Sequence, residues 1–181
     1  MTPSRGIHFV MPRRYRNGLS LVPFKIGTRL GVDLNVIDLT DEAELSWLNA
    51  LIWPEHDTRR QMLDAAMQDV NFDKVTLIEG DGVTFLHELA MRVPDTETLC
   101  IFHTHVANQM PRPVKEGLLE QVKRIGQQRD LFHIYDNVQD RFPHVDMYQS
   151  GRLMELTYAE TEGHGRAFRF ISQLESLFVQ A

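Results

Sequence analysis

The stretch that decides the fold class is Lys74–Phe102, KVTLIEGDGVTFLHELAMRVPDTETLCIF. Lys74–Ile78 is apolar and β-branched and predicts a strand, and the apolar spacing from Val83 to Arg92 predicts a helix. Thr98–Phe102 predicts a second strand. A strand, a helix and a strand in this order are typical of a βαβ unit with parallel strands. The sequence therefore predicts an α/β fold.

The same alternation continues towards the C-terminus. A helix with an apolar side at Val114–Ile125 precedes a third strand, Leu131–Tyr135. Two further strands, Leu153–Thr161 and Arg166–Ile171, flank the hairpin-type turn Glu162–Gly165. Because crossover helices are right-handed almost without exception, we expect a mostly parallel, Rossmann-like sheet that ends in a C-terminal antiparallel hairpin.

Two helices are predicted before this region. Asp41 has the chemistry of an N-cap, Glu44 follows three residues later, and apolar residues at helical spacing continue to Ile52. Pro54 suits the first turn of a second helix. The apolar residues of that second helix share one face: Met62, Leu63, Ala66, Met67 and Val70.

Length and composition indicate one globular domain. The chain has 181 residues, of which 43% are hydrophobic and 24% charged, as in ordinary folded proteins. No apolar run is long enough for a membrane span, and the first twenty residues lack a secretory signal, so we expect a cytoplasmic protein without a membrane partner. The single cysteine, Cys100, lies in an apolar run and is assigned to the core.

Charge divides the chain into a basic N-terminal arm, residues 1–29, and an α/β domain, residues 30–181. The arm has six basic and no acidic residues. Residues 30–181 contain the other 13 basic residues and all 25 acidic ones, so the domain has a charge of −12. We therefore expect the arm to complete the sheet or a homodimer interface of the chain, and not to bind nucleic acid.

Several segments resemble one bacterial family. Gly31–Asp41, GVDLNVIDLTD, and Trp47–His56, WLNALIWPEH, are similar to the Gly-Ile-Asp-Leu-Asn-Pro and Val-Trp-Pro-Glu-His stretches of the bacterial domain of unknown function family 2332. Glu79–Asp81 and Phe102–Thr104 are similar to the strand-end motifs of that family. The resemblance covers roughly residues 28–171, with Val36 in place of the usual proline.

The resemblance implies a methyltransferase-like Rossmann fold, of which this chain would be the C-terminal half. It would also imply S-adenosylmethionine as a cofactor. However, the glycine-rich turn that would hold this cofactor has no match here, because neither Gly18 nor Gly27–Gly31 follows a clear strand and opens a helix.

Candidate ligand-binding residues follow the predicted strands, since ligands bind beyond the carboxyl ends of the strands in an open α/β sheet. Carboxylates here could accept hydrogen bonds from the hydroxyl or amino groups of a nucleoside. The alternative is that they cap helices or hold turns. The candidates are Asp33, Asn35, Asp38, Gly80 and Asp81, and Asp136 and Asn137 follow the third strand in the same way.

His103 is the candidate catalytic residue. His103 and His105 alternate along an extended chain, so both imidazoles could meet one ligand. His103 could act as a general base, because an ordinary histidine pKa lies near neutrality; a structural histidine is the alternative. No third ligand is evident, so no metal site is predicted.

Trp53 and Glu55 could line a pocket, the indole as a stacking face and the carboxylate as an acceptor. The alternative is a helix junction in which Trp53 is a core anchor and Glu55 a first-turn acid.

Two functions follow from these residues. The first is a methyltransferase-like domain that binds a small nucleoside-type or other polar ligand in the strand-end cleft. The second is a non-catalytic assembly or binding module that keeps the fold without the cofactor loop.

Overall fold

The structure, a computed structural model, describes residues 26–69, 75–161 and 168–170. The α/β fold class is confirmed, with four α-helices and eight strands in the described ranges. Residues 1–25 of the predicted arm lie outside the described residues. In chain order the elements are β1 (Leu30–Asp33), α1 (Glu42–Ala50), α2 (Asp57–Asp69), β2 (Thr76–Glu79), α3 (Gly82–Arg92), β3 (Leu99–His103), a 3-10 turn (Val106–Gln109), α4 (Arg112–Gly126), β4 (Leu131–Tyr135), β5 (His144–Gln149), β6 (Arg152–Thr157), β7 (Ala159–Thr161) and β8 (Phe168–Phe170).

The described strands form three sheets. β1 and β2 make a parallel pair, and β7 and β8 make an antiparallel one. The largest sheet has the order β3-β4-β5-β6, in which β3 and β4 are parallel while β4, β5 and β6 are antiparallel. Parallel pairing is thus confined to two pairs of the described strands. The predicted terminal pairing is present as β7–β8, and its turn lies outside the described residues.

A hairpin that the sequence reading missed joins β5 to β6. Its two-residue turn has Ser150 at φ 51° and Gly151 at φ 75°, the backbone that tight hairpins prefer. The strand predicted over Leu153–Thr161 is consequently wrong in extent, because residues 152–157 pair with β5 and only residues 159–161 pair with β8.

Local hydrogen bonds explain where α1 and α2 begin. The Asp41 carboxylate accepts from the Ala43 and Glu44 amides, so the predicted N-cap is confirmed. The Glu44 carboxylate accepts from the Asp38 amide instead of returning to Asp41. Pro54 lies in the turn before α2, which begins only at Asp57. The prediction that Pro54 belongs to the first turn of a helix was therefore wrong.

Helices α3 and α4 cover one face of the four-stranded sheet. Their apolar residues form the core with residues from β3, β4 and β5, as the helical spacing predicts. No described helix is long and apolar enough to span a membrane. The buried residues of this core are Ala90, Leu99, Leu118, Val122, Ile125, Leu131 and Tyr148.

The opposite face of the four-stranded sheet is open. Side chains alternate between faces along a strand. Leu99 is buried against the helices, so Cys100 and Phe102 of β3 point to the other face. Cys100 is exposed and Phe102 is 74% exposed. The assignment of Cys100 to the core was therefore wrong, because Cys100 points to the open face and not to α3 and α4.

Candidate functional site

The first group of predicted ligand residues lies at the carboxyl ends of β1 and β2. Asp33 is the register partner of Glu79, and its carbonyl accepts from the Gly80 amide at 2.8 Å. The Asp33 carboxylate accepts from the Asn35 amide at 3.0 Å. Gly80 has φ 150°, and a Cβ there would overlap the Phe85 ring. The structure thus brings Asp33, Asn35 and Gly80 together.

The Asp38 carboxylate stabilises a turn, and the Asp81 carboxylate caps a helix. Asp38 accepts from the amide and hydroxyl of Thr40, and these hydrogen bonds lower its pKa. Asp81 caps α3 by accepting from the Val83 amide at 2.8 Å and the Thr84 amide at 3.4 Å. Both aspartates therefore have the local structural role that was the alternative prediction, and ligand binding by them stays a prediction.

Trp53 and Glu55 lie in the turn between α1 and α2. Trp53 is 69% exposed, so its alternative role as a core anchor was wrong. Glu55 is exposed and precedes the first turn of α2. The predicted pocket role of the two residues stays untested.

A second group of polar residues lies where β3 and β4 end, at the carboxyl edge of the parallel pair. We name this group the β3–β4 edge; it comprises His103, His105, Asp136 and Asn137. The Asp136 carboxylate accepts from the His105 amide at 2.6 Å, and its other oxygen is 3.8 Å from His105 Nε2. The Asp136 side chain is 8% exposed and the His105 side chain 47%. A buried carboxylate therefore holds the backbone of His105 and lies near its accessible imidazole.

The backbone at the β3–β4 edge is unusual. His105 has φ 60° and Asn137 has φ 57°, the left-handed region that residues with a Cβ seldom adopt. Lys115 of α4 donates to the Asn137 carbonyl at 2.8 Å and holds that turn. Such backbone conformations persist where the surroundings fix them, and they concentrate at ligand sites.

A buried polar cluster lies behind the edge, on the covered face of the sheet. Strand register places His103 beside Tyr135, Tyr135 beside His144, and His133 beside Asp146. The Tyr135 ring stacks on His133 at 4.3 Å and on His144 at 5.1 Å between ring centroids. His133 is fully buried. We name these residues the polar cluster: His103, His133, Tyr135, His144 and Asp146.

Two imidazoles meet inside the polar cluster. His103 Nε2 is 3.0 Å from His133 Nε2, and His133 Nδ1 is 3.9 Å from Asp146 Oδ2. Burial, and then the neighbouring His133, lower the pKa of His103 from 6.5 to about 4. Burial and the Asp146 charge raise the pKa of Tyr135. His103 is therefore neutral near pH 7, and one imidazole must accept from the other.

The polar cluster contains most of the unpartnered buried atoms of the described residues. These are His103 Nδ1, His133 Nδ1, Tyr135 Oη and Asp146 Oδ1; the fifth, Arg129 Nε, lies elsewhere. Each such atom costs roughly 1–3 kcal/mol of folding free energy. A region optimised for stability alone would carry apolar side chains here, so the cluster is a candidate for binding or proton transfer.

Neither a metal nor the implied cofactor fits the described residues well. No group of three or more His, Cys, Asp or Glu side chains in residues 26–69, 75–161 and 168–170 could hold a metal ion. For S-adenosylmethionine, the Asp81 carboxylate is committed to capping α3. The turn after β1 is Leu34-Asn35-Val36, which has no glycine.

The predicted site residues lie on two sheets of the described structure. Asp33 and Asp81 belong to the ends of the β1–β2 pair, whereas His103 lies at the end of β3 in the four-stranded sheet. The sequence predicted Asp136 and Asn137 as residues that follow a strand, and the structure places Asp136 against His105. Tyr135 and Asp146 were not predicted as site residues. A usable signal was the period of two in His133-Ile134-Tyr135 and His144-Val145-Asp146, which places polar side chains on one face of each strand.

The comparisons with known proteins identify a family only. The model of a family of uncharacterized proteins conserved in bacteria, DUF2332, matches residues 10–170. Comparisons with curated proteins and with solved structures gave no match.

Proposed function

The chain belongs to the DUF2332 family of uncharacterized proteins conserved in bacteria, and we propose that it is a domain that binds a small polar ligand of nucleoside type at the β3–β4 edge. In this proposal the ligand contacts His105, whose imidazole is accessible, while Asp136 holds the backbone of His105 in place. His103 lies behind them, and its catalytic role stays a prediction.

The observation that carries the proposal is the contact between Asp136 and His105. The carboxylate receives the His105 amide at 2.6 Å and has its second oxygen 3.8 Å from the imidazole of the same residue. This arrangement requires the left-handed backbone at His105. A backbone distortion of this kind costs about 1–3 kcal/mol, and a ligand contact would account for its presence.

The polar cluster supports the same location. Asp136 raises the pKa of His103 while burial and His133 lower it, so the edge and the cluster share one electrostatic environment. His103 contacts His133 at 3.0 Å between Nε2 atoms, and His133 Nδ1 lies 3.9 Å from Asp146 Oδ2. Neutral imidazoles can exchange donor and acceptor roles, so the tautomers of the cluster can adjust to a polar ligand bound at the edge.

Adenosine is the probe for the experiment. Titration with millimolar adenosine should move the imidazole signals of His105 in side-chain nitrogen NMR spectra in a saturable way. Saturation should also raise the melting temperature by about 5–10 °C, since ligand at roughly a hundred times its dissociation constant adds about 2.7 kcal/mol. His105→Ala should abolish both responses.

The matched control is His87→Ala, which removes another exposed histidine, on α3, and should keep both responses. Unchanged His105 signals at millimolar adenosine would refute the proposal for nucleosides. Equal shifts at His87 and His105 would show non-specific association and would refute it as well.

The finer fold assignment is part of the proposal. The unit β3-α4-β4 has two parallel neighbouring strands joined by a helix, and antiparallel strands follow it. This order supports a Rossmann-like, methyltransferase-like sheet. An experimental structure with β2 and β3 in one parallel sheet would support the assignment, whereas separate sheets would contradict it.

A second candidate function is a non-catalytic assembly or binding module. The observation that favours it is the exposure of large apolar side chains on α1 and in the turn after it: Trp47 is 54%, Leu51 55% and Trp53 69% exposed. Apolar surface of this extent is typical of contact sites. Removing residues 1–29 tests the predicted contribution of the basic arm: insoluble or destabilised protein would support it, and a soluble monomer of unchanged stability would exclude it.

A further inference from the structure

The open face of the four-stranded sheet is a continuous apolar surface. Register aligns its side chains in two rows that cross all four strands. We name these eight residues the open face. One row is Cys100, Phe132, Met147 and Met154, and the other is Phe102, Ile134, Val145 and Leu156.

The open face is exposed where its side chains are largest. Phe102 is 74%, Phe132 37% and Met154 44% exposed, and Cys100 is exposed as well. Helices α3 and α4 pack on the other face, with Leu99, Leu131 and Tyr148. The surface is therefore a sheet face without a partner among the described residues, and an apolar patch of this size is often a contact site.

We propose that the open face is the interface of a symmetric homodimer, in which the open face of a second copy packs against it. All eight side chains are uncharged although the chain carries a net charge of −6. Two copies can therefore meet here without opposing like charges, which would be costly elsewhere on the surface. A two-fold axis makes one patch contact itself, so a single self-complementary surface is sufficient.

The size and shape of the open face suit this partner. At about 150–250 Å² for each large side chain, Phe102, Phe132 and Met154 expose about 300 Å², and the five other side chains bring the open face to roughly 500 Å² per copy. The total of about 1,000 Å² is the threshold for a specific interface and lies below the roughly 1,200–2,000 Å² of tight ones, so we expect a dimer that dissociates on dilution. Two stacked sheets pack about 10 Å apart with side chains interdigitated. The proposed dimer is therefore a sheet-on-sheet sandwich, and it stands independently of the ligand proposed at the β3–β4 edge.

Residues 153 and 154 provide a matched pair of variants. They are neighbours on β6, Leu153 is 43% and Met154 44% exposed, and they lie on opposite faces. Light scattering should give the unmodified chain a mass of twice 21.0 kDa. Met154→Glu should give the monomer mass, because a carboxylate would be buried in the interface, whereas Leu153→Glu should remain dimeric. Phe102→Glu is a second open-face variant, used if Met154→Glu does not fold.

Cys100 is the only cysteine of the chain and lies in the open face. The rate at which its thiol is modified therefore measures whether that face is covered. Modification by a maleimide should slow as protein concentration rises, and it should be roughly tenfold faster in Met154→Glu, because dimerisation follows mass action. A monomer whose Cys100 is protected at every concentration would overturn the proposal and assign the face to another segment of the chain. A monomer with reactive Cys100, or a dimer that both open-face variants preserve, would overturn it too. Adenosine binding at His105 is read separately, so each proposal can fail alone.

Discussion

His103 and His133 show how single residues acquire properties that their types do not specify. Their Nε2 atoms are 3.0 Å apart, so protonation of His103 would place a positive charge in a largely buried space beside a second imidazole. Neutral His103 is therefore part of the folded state. Its pKa is lowered from 6.5 to about 4, which couples its protonation to unfolding.

This coupling predicts a pH-dependent stability. Between pH 6.5 and 4 the unfolded chain binds a proton that the folded chain rejects, so the stabilisation is complete above pH 6.5 and is lost as pH falls towards 4. Because His103 is only partly buried, we expect a loss of about 1 kcal/mol between pH 7 and pH 5. Urea unfolding of His103→Gln should show that this part of the pH dependence is gone, whereas His87→Gln should retain it. Identical slopes in all three proteins would contradict the prediction.

Residue roles could be predicted where they are local. Asp41 and Asp81 cap α1 and α3 through amides two and three residues away, and this chemistry is visible in the sequence. The contact of His103 with His133 spans 30 positions and depends on the pairing of β3 with β4. No local pattern contains that information.

At the scale of elements, two glycines of α4 have opposite surroundings. A Cβ at Gly126 would overlap the Tyr148 ring, while a Cβ at Gly117 would meet nothing within 4 Å. Alanine stabilises a helix by about 0.5–1 kcal/mol relative to glycine. Gly117→Ala should therefore raise the free energy of unfolding by this amount.

Gly126→Ala should lower the free energy of unfolding by about 1–3 kcal/mol, because the buried Tyr148 ring must move. Chemical denaturation of the two variants measures both signs against the same parent. Stabilisation by Gly126→Ala would show that Tyr148 has room to shift and would contradict the packing of α4 on β5.

Arg129 fixes the end of α3. Its guanidinium, in a side chain 9% exposed, donates to the carbonyls of Ala90, Val93, Pro94 and Glu97 at 2.8–3.0 Å. These carbonyls include ones that the helix leaves without partners. Arg129→Met should cost about 3 kcal/mol in urea unfolding. The control Arg92→Met breaks an exposed pair with Glu88 and should cost about 0.5 kcal/mol or less; equal costs would contradict the role of Arg129.

Elements were predictable when they had an apolar helical side or formed a short β-rich run between turn residues. The apolar side of α4 was evident, and β4 has its predicted bounds, Leu131–Tyr135. Strand β5 was missed because its alternation is inverted: His144, Asp146 and Tyr148 are buried, whereas Val145 and Met147 lie on the open face. A pattern reading that places apolar residues inside cannot recover such a strand.

At the scale of the whole molecule, cofactor binding is measurable as stability. The described strand ends do not suit S-adenosylmethionine, since Asp81 caps α3 and no glycine follows β1 in the next turn. We therefore expect no rise in melting temperature with millimolar S-adenosylmethionine. A saturable rise of about 5–10 °C would contradict this expectation and support methyl transfer.

The two-residue turn at Ser150-Gly151 has a consequence for how the chain acquires its fold. A hairpin with so short a turn closes within about 1–10 microseconds, whereas β3 must pair with β4 across the whole of α4. During synthesis β3 leaves the ribosome before β4, so the backbone amides that β3 uses to pair with β4 stay unpaired until β4 has been made. We expect Val145→Ala, in the hairpin, to slow refolding, and Ile101→Ala, on β3, mainly to speed unfolding. The last strands of the sheet to be made would thus be the first to be ordered.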